Sequence, residues 1–290
     1  MQNLFYQNTE MLCLIGHPVK HTYSPFIQNM ALKIAGLDYI YLPFDVPQEN
    51  LKTVIKGFLA LGVKGFNVTL PYKEMIIPML HSISEEASAI GSVNTVVNDL
   101  GKLVGYNTDV NGVVETLNPY KEDLIGSEVS IIGAGGASRA VIYALIKYFK
   151  PSKINIINRS EQRAESLKIY FSEKMKYDEI ETHELFPPDI LPILNNSTLI
   201  VNATPIGMSP NVDDSPINNQ KIFVPGQIAF DIVYNPSNTK FLQMAKAEGA
   251  ITLDGIKMLV HQAAKSFELW TGAKMPVDGV YDALKMYLEN

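Results

Sequence analysis

A glycine-rich turn between an apolar strand and a helix constrains the fold of this chain more than any other feature. The strand is predicted over Val129–Ile132 and the helix over Ser138–Tyr148. Glycines permit a tight turn and a close backbone approach to a pyrophosphate, which the free N–H groups of the helix N-terminus bind. The pattern therefore predicts a dinucleotide site that uses the turn residues Gly133, Gly135, Gly136 and Ala137.

The end of the next predicted strand, Ile154–Ile157, indicates which dinucleotide binds. Sites for NAD usually have an acidic residue there, which binds the ribose 2′-hydroxyl. This chain has Asn158, Arg159 and Ser160 instead, and Arg163 follows one helical turn later. Two guanidinium groups and a hydroxyl favour the 2′-phosphate of NADP. The alternative is a solvated basic corner in which Ser160 caps the next helix.

A third polar segment follows the predicted strand Thr198–Val201. Ligands of open α/β sheets bind at the carboxyl ends of the strands, so Asn202 and Thr204 are candidates for contacts with adenosine or ribose. A plain polar loop is the alternative for each of them.

Strands and helices alternate along the chain in two blocks. The first block ends in a predicted hairpin around Asp99–Gly101, which indicates a mixed, mostly parallel sheet. Beyond Asp109 the alternation starts again, as a doubly wound dinucleotide-binding domain requires. We therefore predict an α/β protein of two domains, of which the second is Rossmann-like and binds NADP.

Charge and composition argue against several classes of protein. The net charge is −6 and no basic stripe is present, so we expect neither nucleic acid nor an anionic membrane surface as a partner. No apolar run reaches the ~18–20 residues of a membrane span. The single cysteine, Cys13, lies in the apolar run Met11–Ile15, which predicts a buried strand residue and a reducing, cytoplasmic setting.

The five histidines give no indication of a metal site, because their spacing matches no common ligand pattern and no acidic residues accompany them. We therefore predict no metal. These residues are His17, His21, His81, His183 and His261.

Three dense polar segments follow apolar strands in the first block. They are Gly-His-Pro-Val-Lys-His-Thr-Tyr-Ser-Pro at 16–25, Gly-Phe-Asn-Val-Thr-Leu-Pro-Tyr-Lys at 65–73, and Gly-Ser-Val-Asn-Thr at 91–95 with Gly-Tyr-Asn-Thr-Asp at 105–109. Each hydroxyl of a substrate needs a partner once water is excluded. Small hydroxyls, amides, one lysine and one aspartate therefore suit a polyhydroxylated, carboxylate-bearing ring.

Together with the glycine-rich turn and the late segment 254–264, these motifs resemble the shikimate dehydrogenase family from Gly16 to Trp270. The resemblance implies the reversible, NADPH-dependent reduction of 3-dehydroshikimate to shikimate, a step in the biosynthesis of chorismate and aromatic amino acids. It implies that Lys73 and Asp109 form the catalytic pair. It also implies that Thr22 and Ser24 bind the substrate carboxylate.

The same resemblance assigns the remaining contacts. The implied ligands of the ring hydroxyls or carboxylate are Asn67, Thr69, Asn94 and Gln262, and Tyr234 is implied to lie near the carboxylate. Gly255 and Met258 are implied to line the nicotinamide pocket. The chain departs from the family at Thr22, where serine is usual, and at Lys257, where a second glycine is usual.

The chemistry of the reduction fits these residue types. A ketone that receives a hydride needs a proton for the developing alkoxide, and an ammonium group can donate it and stabilise the negative charge. A neighbouring carboxylate can orient the ammonium and bind an adjacent hydroxyl. The sequence leaves open which of Lys73 and Asp109 transfers the proton. The non-catalytic alternative for Lys73 is an exposed loop lysine. For Asp109 it is an N-cap of the predicted helix Val110–Leu117.

Three other functions remain open at this point. One is a quinate/shikimate dehydrogenase that uses NAD or both cofactors. Arg159 and Arg163 argue against NAD, whereas the sequence gives little against quinate, which has the same ring and carboxylate. Another is a non-catalytic NADP-binding sensor, which has no need of Lys73 and Asp109 together. The third is another two-domain NADP enzyme, such as a methylene-folate dehydrogenase, which requires an aromatic pterin slot that the sequence does not indicate.

We predict the domain bounds from the new alternation at Asp109 and from the late segment that contains Gln262. Residues 1–107 plus 255–290 form the predicted substrate domain, and residues 108–254 form the NADP-binding domain. We expect the protein to be a monomer or a homodimer.

Overall fold

The computed structural model describes residues 7–20, 22–218 and 220–288, so His21 lies outside the described residues. The chain divides into two compact units, each an α/β structure. One unit contains the described residues up to Thr108 and those from Val260 onward, and the other is Asp109–Leu259. The predicted fold class is confirmed. The second crossing between the units falls inside one continuous helix, five residues later than predicted.

The first unit is built on a six-stranded mixed sheet of order β2-β1-β3-β5-β6-β4. Strand β1 runs parallel to β2 and β3, whereas β5 is antiparallel to both β3 and β6. The strands are β1 (Glu10–Gly16), β2 (Tyr39–Asp45), β3 (Gly65–Val68), β4 (Ser82–Ile83), β5 (Thr95–Asp99) and β6 (Lys102–Tyr106). The helices before the second unit are α1 (Ser24–Ala35), α2 (Leu51–Ala60) and α3 (Glu85–Ile90). After the second unit, the last part of α10 (Gly255–Thr271) and all of α11 (Val277–Leu288) belong to this unit.

Strand β1 lies within this sheet, and its sequence explains why. Every residue from Leu12 to Gly16 is buried, as is typical of a strand covered on both faces. Cys13 is fully buried there, as predicted, and burial raises the pKa of its thiol to about 12. Its thiol therefore stays protonated, and Cys13 acts as a small apolar packing residue.

The second unit is built on a six-stranded parallel sheet of order β12-β11-β10-β7-β8-β9. This is the strand order of a Rossmann domain, and it reverses between β7 and β10. The strands are β7 (Glu128–Ile132), β8 (Lys153–Asn158), β9 (Ile180–Glu184), β10 (Leu199–Asn202), β11 (Ile228–Asp231) and β12 (Ile251–Leu253). The helices are α4 (Asp109–Leu117), α5 (Lys121–Leu124), α6 (Gly136–Ala144), α7 (Glu161–Met175), α8 (Pro187–Asn196), α9 (Lys240–Ala247) and α10 (Gly255–Thr271).

The structure differs from the sequence-based expectation in a few elements. The helix after the glycine-rich turn begins two residues earlier than predicted, and its end is a π-helical turn, Leu145–Phe149. Strand β9 and helix α8 were not predicted at all. The strand is a sheet edge in which only Ile180 is apolar, and the helix contains Pro192. Among the described helices, none combines the length and apolar character needed to cross a bilayer.

Candidate active site

A cluster of mutually hydrogen-bonded side chains lies in the first unit, and Asn67 of β3 is at its centre. The amide oxygen of Asn67 accepts a bond of 2.8 Å from the hydroxyl of Tyr41. Its Nδ2 donates to the carbonyl of Asn94 at 3.0 Å, to Oγ1 of Thr95 at 3.0 Å and to Oγ of Ser266 at 3.2 Å. Both amide protons of Asn67 are therefore used within the fold, and an acceptor lone pair on Oδ1 is its remaining capacity.

Asn94, just before β5, connects two further segments, the one that contains Thr108 and helix α10. Its Oδ1 accepts from the backbone N–H of Thr108 at 2.7 Å, and its Nδ2 donates to Oγ1 of Thr108 at 3.0 Å. The same Nδ2 lies 3.5 Å from Oε1 of Gln262 on α10. Two predicted substrate ligands that are 168 residues apart in the chain, Asn94 and Gln262, are thus brought side by side.

The sequence did not single out Ser266, which holds this cluster together. Its Oγ lies 2.8 Å from Oγ1 of Thr95 and 3.0 Å from Oγ1 of Thr108. Ser266 and Trp270 follow Gln262 at intervals of four residues, so the three side chains share one face of α10. The indole Nε1 of Trp270 donates to the carbonyl of Val96 at 3.0 Å, which fixes this face against β5. The spacing of four residues from Gln262 to Ser266 was the feature of the sequence that could have indicated Ser266.

The two predicted carboxylate ligands lie at the start of α1. The hydroxyls of Thr22 and Ser24 are 3.1 Å apart, and Thr22 Oγ1 also accepts from the backbone N–H of Ser24. Both hydroxyls stand at a helix N-terminus, where the backbone dipole favours negative charge. The methyl group of threonine does not prevent this arrangement.

Gly16 allows Thr69 to approach the end of β1. An ideal Cβ on Gly16 would lie 2.3 Å from Cγ2 of Thr69, a distance that no side chain tolerates. Lys73 follows four residues later and is half-buried, and its carbonyl accepts from the N–H of Val93 at 2.8 Å. Lys73 is therefore bonded through its backbone to the segment that carries Asn94, next to Gln262.

Two residues that were predicted to act on the substrate, Asp109 and Tyr234, belong to the second unit. Asp109 is buried and is the first residue of α4, where an acidic side chain is favourable to the helix dipole. Tyr234 is half-buried and lies three residues beyond the end of β11.

Gly133 occupies the point where the strand order of the second unit reverses. Its φ is +114°, and an ideal Cβ would lie 2.9 Å from Cγ2 of Thr204 and 3.1 Å from the carbonyl of Ala203. Glycine is required on both grounds. The turn after β7 and the loop after β10 are thereby held together at the carboxyl edge of the sheet, where ligands of such folds bind.

The rest of the glycine-rich turn leads into α6. Gly136 is the first residue of this helix, and Gly135 and Ala137 flank it. Ser138 stands at the last position of the Gly-x-Gly-x-x-Gly pattern of dinucleotide sites, where glycine or alanine is usual. It is fully buried, and its Oγ accepts from the N–H of Gly135 at 3.2 Å. The serine therefore satisfies one of the free donors at the helix start. An ideal Cβ on Gly135 meets no atom within 4 Å, so that side of the turn is open.

Arg159, directly after β8, and Arg163, in the first turn of α7, are both exposed. Within the described part of the chain, neither guanidinium is paired with an acid or bonded to another residue. Ser160 is at the N-cap position of α7, but its side chain makes no capping bond. Asn158 instead donates to the carbonyl of Ser160 at 2.9 Å, which shapes the turn. Two free cations and a free hydroxyl are the donor set that a phosphate requires.

Asn202, the last residue of β10, and Thr204, in the loop that follows, are hydrogen-bonded to each other. Oδ1 of Asn202 accepts from the N–H of Thr204 at 3.0 Å and from its Oγ1 at 2.7 Å. Nδ2 of Asn202 donates to the buried carboxyl of Asp231 at 3.0 Å. Burial raises the pKa of Asp231 to about 6, although bonds from Thr239, Val233 and Asn202 oppose the rise.

The start of α10 is packed tightly against the ends of other elements of its unit. An ideal Cβ on Gly255 would lie 2.4 Å from the carbonyl of Ile232, and one on Gly112 of α4 would lie 2.4 Å from the carbonyl of Met258. Met258 is buried at this contact, whereas Lys257 is half-buried. Burial raises the pKa of Asp254, whose carboxylate accepts from the N–H of Ile256 at 2.9 Å.

Among the described residues, no group of three or more histidine, cysteine, aspartate or glutamate side chains is arranged to hold a metal ion.

Comparison with protein-family models gives three matches along the chain. Residues 14–96 match the shikimate dehydrogenase substrate-binding domain, residues 116–213 match shikimate/quinate 5-dehydrogenase, and residues 255–285 match the shikimate 5′-dehydrogenase C-terminal domain.

Individual relatives agree with these matches. A shikimate dehydrogenase (NADP+) of Pelodictyon phaeoclathratiforme is 42% identical over 96% of this chain and 97% of its own length. A crystal structure of a shikimate dehydrogenase in complex with NADP+ has a TM-score of 0.90 at 38% identity and covers 98% of both chains. A quinate dehydrogenase of Corynebacterium glutamicum in complex with NAD has a TM-score of 0.86 at 30% identity, over 96% of this chain and 99% of that one.

Proposed function

This chain belongs to the shikimate dehydrogenase family, and we propose that it reversibly reduces 3-dehydroshikimate to shikimate with NADPH, in the pathway to chorismate and aromatic amino acids. The observation that carries the choice of cofactor is the pair of exposed arginines after β8, Arg159 and Arg163, which have no acidic partner among the described residues. Strand β8 pairs with β7, the strand that leads into the glycine-rich turn. The first unit binds the substrate in this proposal, and the second unit binds NADPH.

We assign the proton transfer to Lys73. NADPH supplies the hydride when it is bound, and the substrate oxygen becomes negatively charged as the hydride arrives. An ammonium group carries a proton and stabilises that charge, whereas a carboxylate does neither. Asp109 orients the substrate by accepting a hydrogen bond from a neighbouring hydroxyl.

The remaining polar groups of the first unit hold the substrate. Thr22 and Ser24 bind its carboxylate with two hydroxyls that already lie side by side at a helix N-terminus. Thr69, Asn94 and Gln262 bind ring oxygens. Asn67 contributes an acceptor on Oδ1, and its amide protons hold Asn94 and Thr95 in place. Tyr234 of the second unit binds near the carboxylate.

The cofactor residues of the second unit divide the dinucleotide among them. Gly133, Gly135, Gly136 and Ala137 receive the pyrophosphate at the start of α6, where free N–H groups and the helix dipole favour an anion. Arg159, Arg163 and Ser160 bind the 2′-phosphate, with Asn158 shaping their turn. Thr204, which Asn202 holds in place, forms the wall that faces Gly133. Gly255 and Met258 line the nicotinamide end.

We also propose that the enzyme is cytoplasmic and is a monomer or a homodimer. The location is supported by its single cysteine, which is buried and protonated. Light scattering of the purified protein decides between one and two copies.

The test is a set of turnover assays that pair shikimate or quinate with NADP or NAD and follow the absorbance of the reduced cofactor. We expect rapid turnover with shikimate and NADP. Turnover that favours quinate and NAD would assign the chain to the activity of its Corynebacterium neighbour instead. Absence of turnover in every pair, with NADPH still bound, would support a sensor.

The variant Arg159→Ala sharpens the same test. Loss of a charge-assisted contact to the 2′-phosphate should weaken NADPH binding by about tenfold to a hundredfold, with little effect on NADH. Equal losses for the two cofactors, measured by titration of protein fluorescence, would remove the 2′-phosphate from this position.

A further inference from the structure

Asp231, the last residue of β11, is a buried carboxylic acid that the proposed reaction does not use. Its side chain is fully shielded from solvent. Burying a carboxylate costs free energy unless hydrogen bonds replace its hydration. The three donors that reach it show what it does in the fold.

The first carboxylate oxygen holds the cofactor loop. Oδ1 of Asp231 accepts from Nδ2 of Asn202 at 3.0 Å and from the N–H of Val233 at 3.0 Å. An amide side chain can flip by half a turn, which exchanges its donor and acceptor atoms. A carboxylate oxygen can accept from Nδ2 of this amide but not from its oxygen, and Nδ2 also donates to the carbonyl of Ile206 at 3.2 Å. Asp231 is the nearer acceptor and carries the negative charge, so it contributes to fixing the amide of Asn202 with its oxygen turned towards Thr204.

That orientation is transmitted to the wall of the cofactor site. Oδ1 of Asn202 holds the N–H and the hydroxyl of Thr204, and Oγ1 of Thr204 accepts in turn from the N–H of Ile206 at 3.2 Å. The methyl group of Thr204 is the atom nearest to the position of an ideal Cβ on Gly133. The path from Asp231 to the glycine-rich turn therefore passes through two predicted cofactor residues, Asn202 and Thr204.

The second carboxylate oxygen has a separate task. Oδ2 of Asp231 accepts from Oγ1 of Thr239 at 2.6 Å, and the same hydroxyl caps α9 by accepting from the N–H of Leu242. One carboxylate thus serves a loop with Oδ1 and a helix with Oδ2. The two tasks can be separated, because the hydroxyl of Thr239 bonds to Asp231 and Leu242 and not to Asn202 or Thr204.

The protonation state agrees with this geometry. A pKa of about 6 leaves the carboxyl of Asp231 mainly ionised at neutral pH, so it acts only as an acceptor. The charged neighbour that contributes is Asp254, whose carboxylate raises the pKa further.

We propose that Asp231 is a positioning residue for NADPH binding, which fixes the amide of Asn202 and thereby the wall that Thr204 presents to the glycine-rich turn. The proposal rests on the NADPH site proposed above. It predicts that loss of the Oδ1 acceptor weakens cofactor binding specifically, whereas loss of the Oδ2 contact weakens only the fold.

The experiment compares Asp231→Ala, Asp231→Asn and Thr239→Val with the unchanged protein. The dissociation constants of NADPH and of shikimate are measured by titration at neutral pH, and the melting temperature of each apoprotein is recorded. For Asp231→Ala we expect NADPH to bind about tenfold or more weakly, with shikimate binding retained. Asp231→Asn keeps an acceptor oxygen and should restore NADPH affinity to within about threefold of the original.

Thr239→Val is the matched control. It is isosteric and removes the bond to Oδ2 together with the cap of α9, so we expect a lower melting temperature with NADPH affinity changed by less than about threefold. If Asp231→Ala does not fold, Asp231→Leu, which fills the volume without an acceptor, takes its place.

Two results would overturn the proposal. One is an equal loss of NADPH affinity in Thr239→Val and in the acceptor-free variant, which would make Asp231 a purely structural residue. The other is unchanged NADPH affinity in the acceptor-free variant. Failure of the unchanged protein to bind NADPH would instead contradict the proposed function itself.

Discussion

The substrate unit and the cofactor unit build their candidate sites from different parts of the chain. In the first unit, side chains bond to side chains, as between Asn67, Asn94, Thr95 and Ser266. In the second unit, the turn after β7 is shaped by the absence of a side chain at Gly133, and the helix start offers its backbone.

The difference follows from the ligands. A polyhydroxylated ring presents hydroxyls in many directions, and only side chains can be placed to meet each one. A pyrophosphate is a compact anion that a row of N–H groups meets equally well. The comparison predicts that the first unit is most sensitive to the removal of side chains and the second to their addition.

The largest effect is expected for Lys73→Ala. Removal of the proposed proton donor should lower kcat by about a thousandfold with a modest change in KM, because its contribution is made mainly in the transition state. Steady-state kinetics with shikimate and NADP measure both. Lys64→Ala is the control, since Lys64 forms an exposed ion pair with Glu10 at 3.1 Å, and kcat should be retained. A defect in KM alone would reassign Lys73 to substrate binding.

Asn67→Ala tests the side-chain cluster of the first unit. The variant removes the bond from the hydroxyl of Tyr41 and the bonds to the carbonyl of Asn94 and to Thr95, so the free energy of unfolding should fall by about 3 kcal/mol. Tyr41→Phe removes a single donor and should cost about 1 kcal/mol. Urea unfolding measures both. Equal small losses would mean that the cluster does not depend on the amide of Asn67.

Gly133→Ala and Gly135→Ala form a matched pair in the second unit. An added methyl at 133 meets Thr204 and a backbone with positive φ, so unfolding should become easier by about 2 kcal/mol. At 135 a methyl meets no atom of the protein within 4 Å. We expect Gly135→Ala to keep its melting temperature and to lose NADPH affinity, because the pyrophosphate approaches there. A lower melting temperature for Gly135→Ala would contradict this division.

The smallest effect concerns Asp231. Its pKa is raised by burial to about 6, so the folded state binds this proton more tightly than the unfolded chain does, and the contribution of the group to stability declines as pH rises through 6. Relative to Asp231→Asn, which does not titrate, the unchanged protein should therefore lose about 1 kcal/mol between pH 5 and pH 8. Urea unfolding of both proteins at the two pH values gives the difference. A constant difference would show that the carboxyl does not titrate in this range.

Much of the fold could be predicted because it depends on local patterns. The strand, glycine and helix order around Gly133, the missing acid at Arg159 and the hairpin around Leu100 are each readable from a few neighbouring residues. Strand β9 and helix α8 could not be predicted. In β9 only Ile180 is apolar, and α8 contains Pro192, so both sequences resemble that of a loop.

The candidate site divides in the same way. The side chains of Lys73, Thr69 and Gln262 stand in recognisable motifs, and the sequence predicted them. The roles of Ser266 and Thr108 were not predicted, because Ser266 bonds to Asn67 and to Thr108, both more than a hundred residues away in the chain. Asp231 was missed for the same reason.

The sequence by itself determined the two-unit α/β fold, the dinucleotide turn and the residue types of the site, because backbone propensity, apolar periodicity and charge act over short stretches of chain. Only the tertiary structure decided which polar groups bond to one another. It showed that Asn67 uses both its amide protons within the fold and that Arg159 and Arg163 have no acidic partner among the described residues. It also showed that the buried carboxylate of Asp231 holds the loop after β10. Hydrogen-bond partners are set by distance and direction in space, and a linear sequence contains neither.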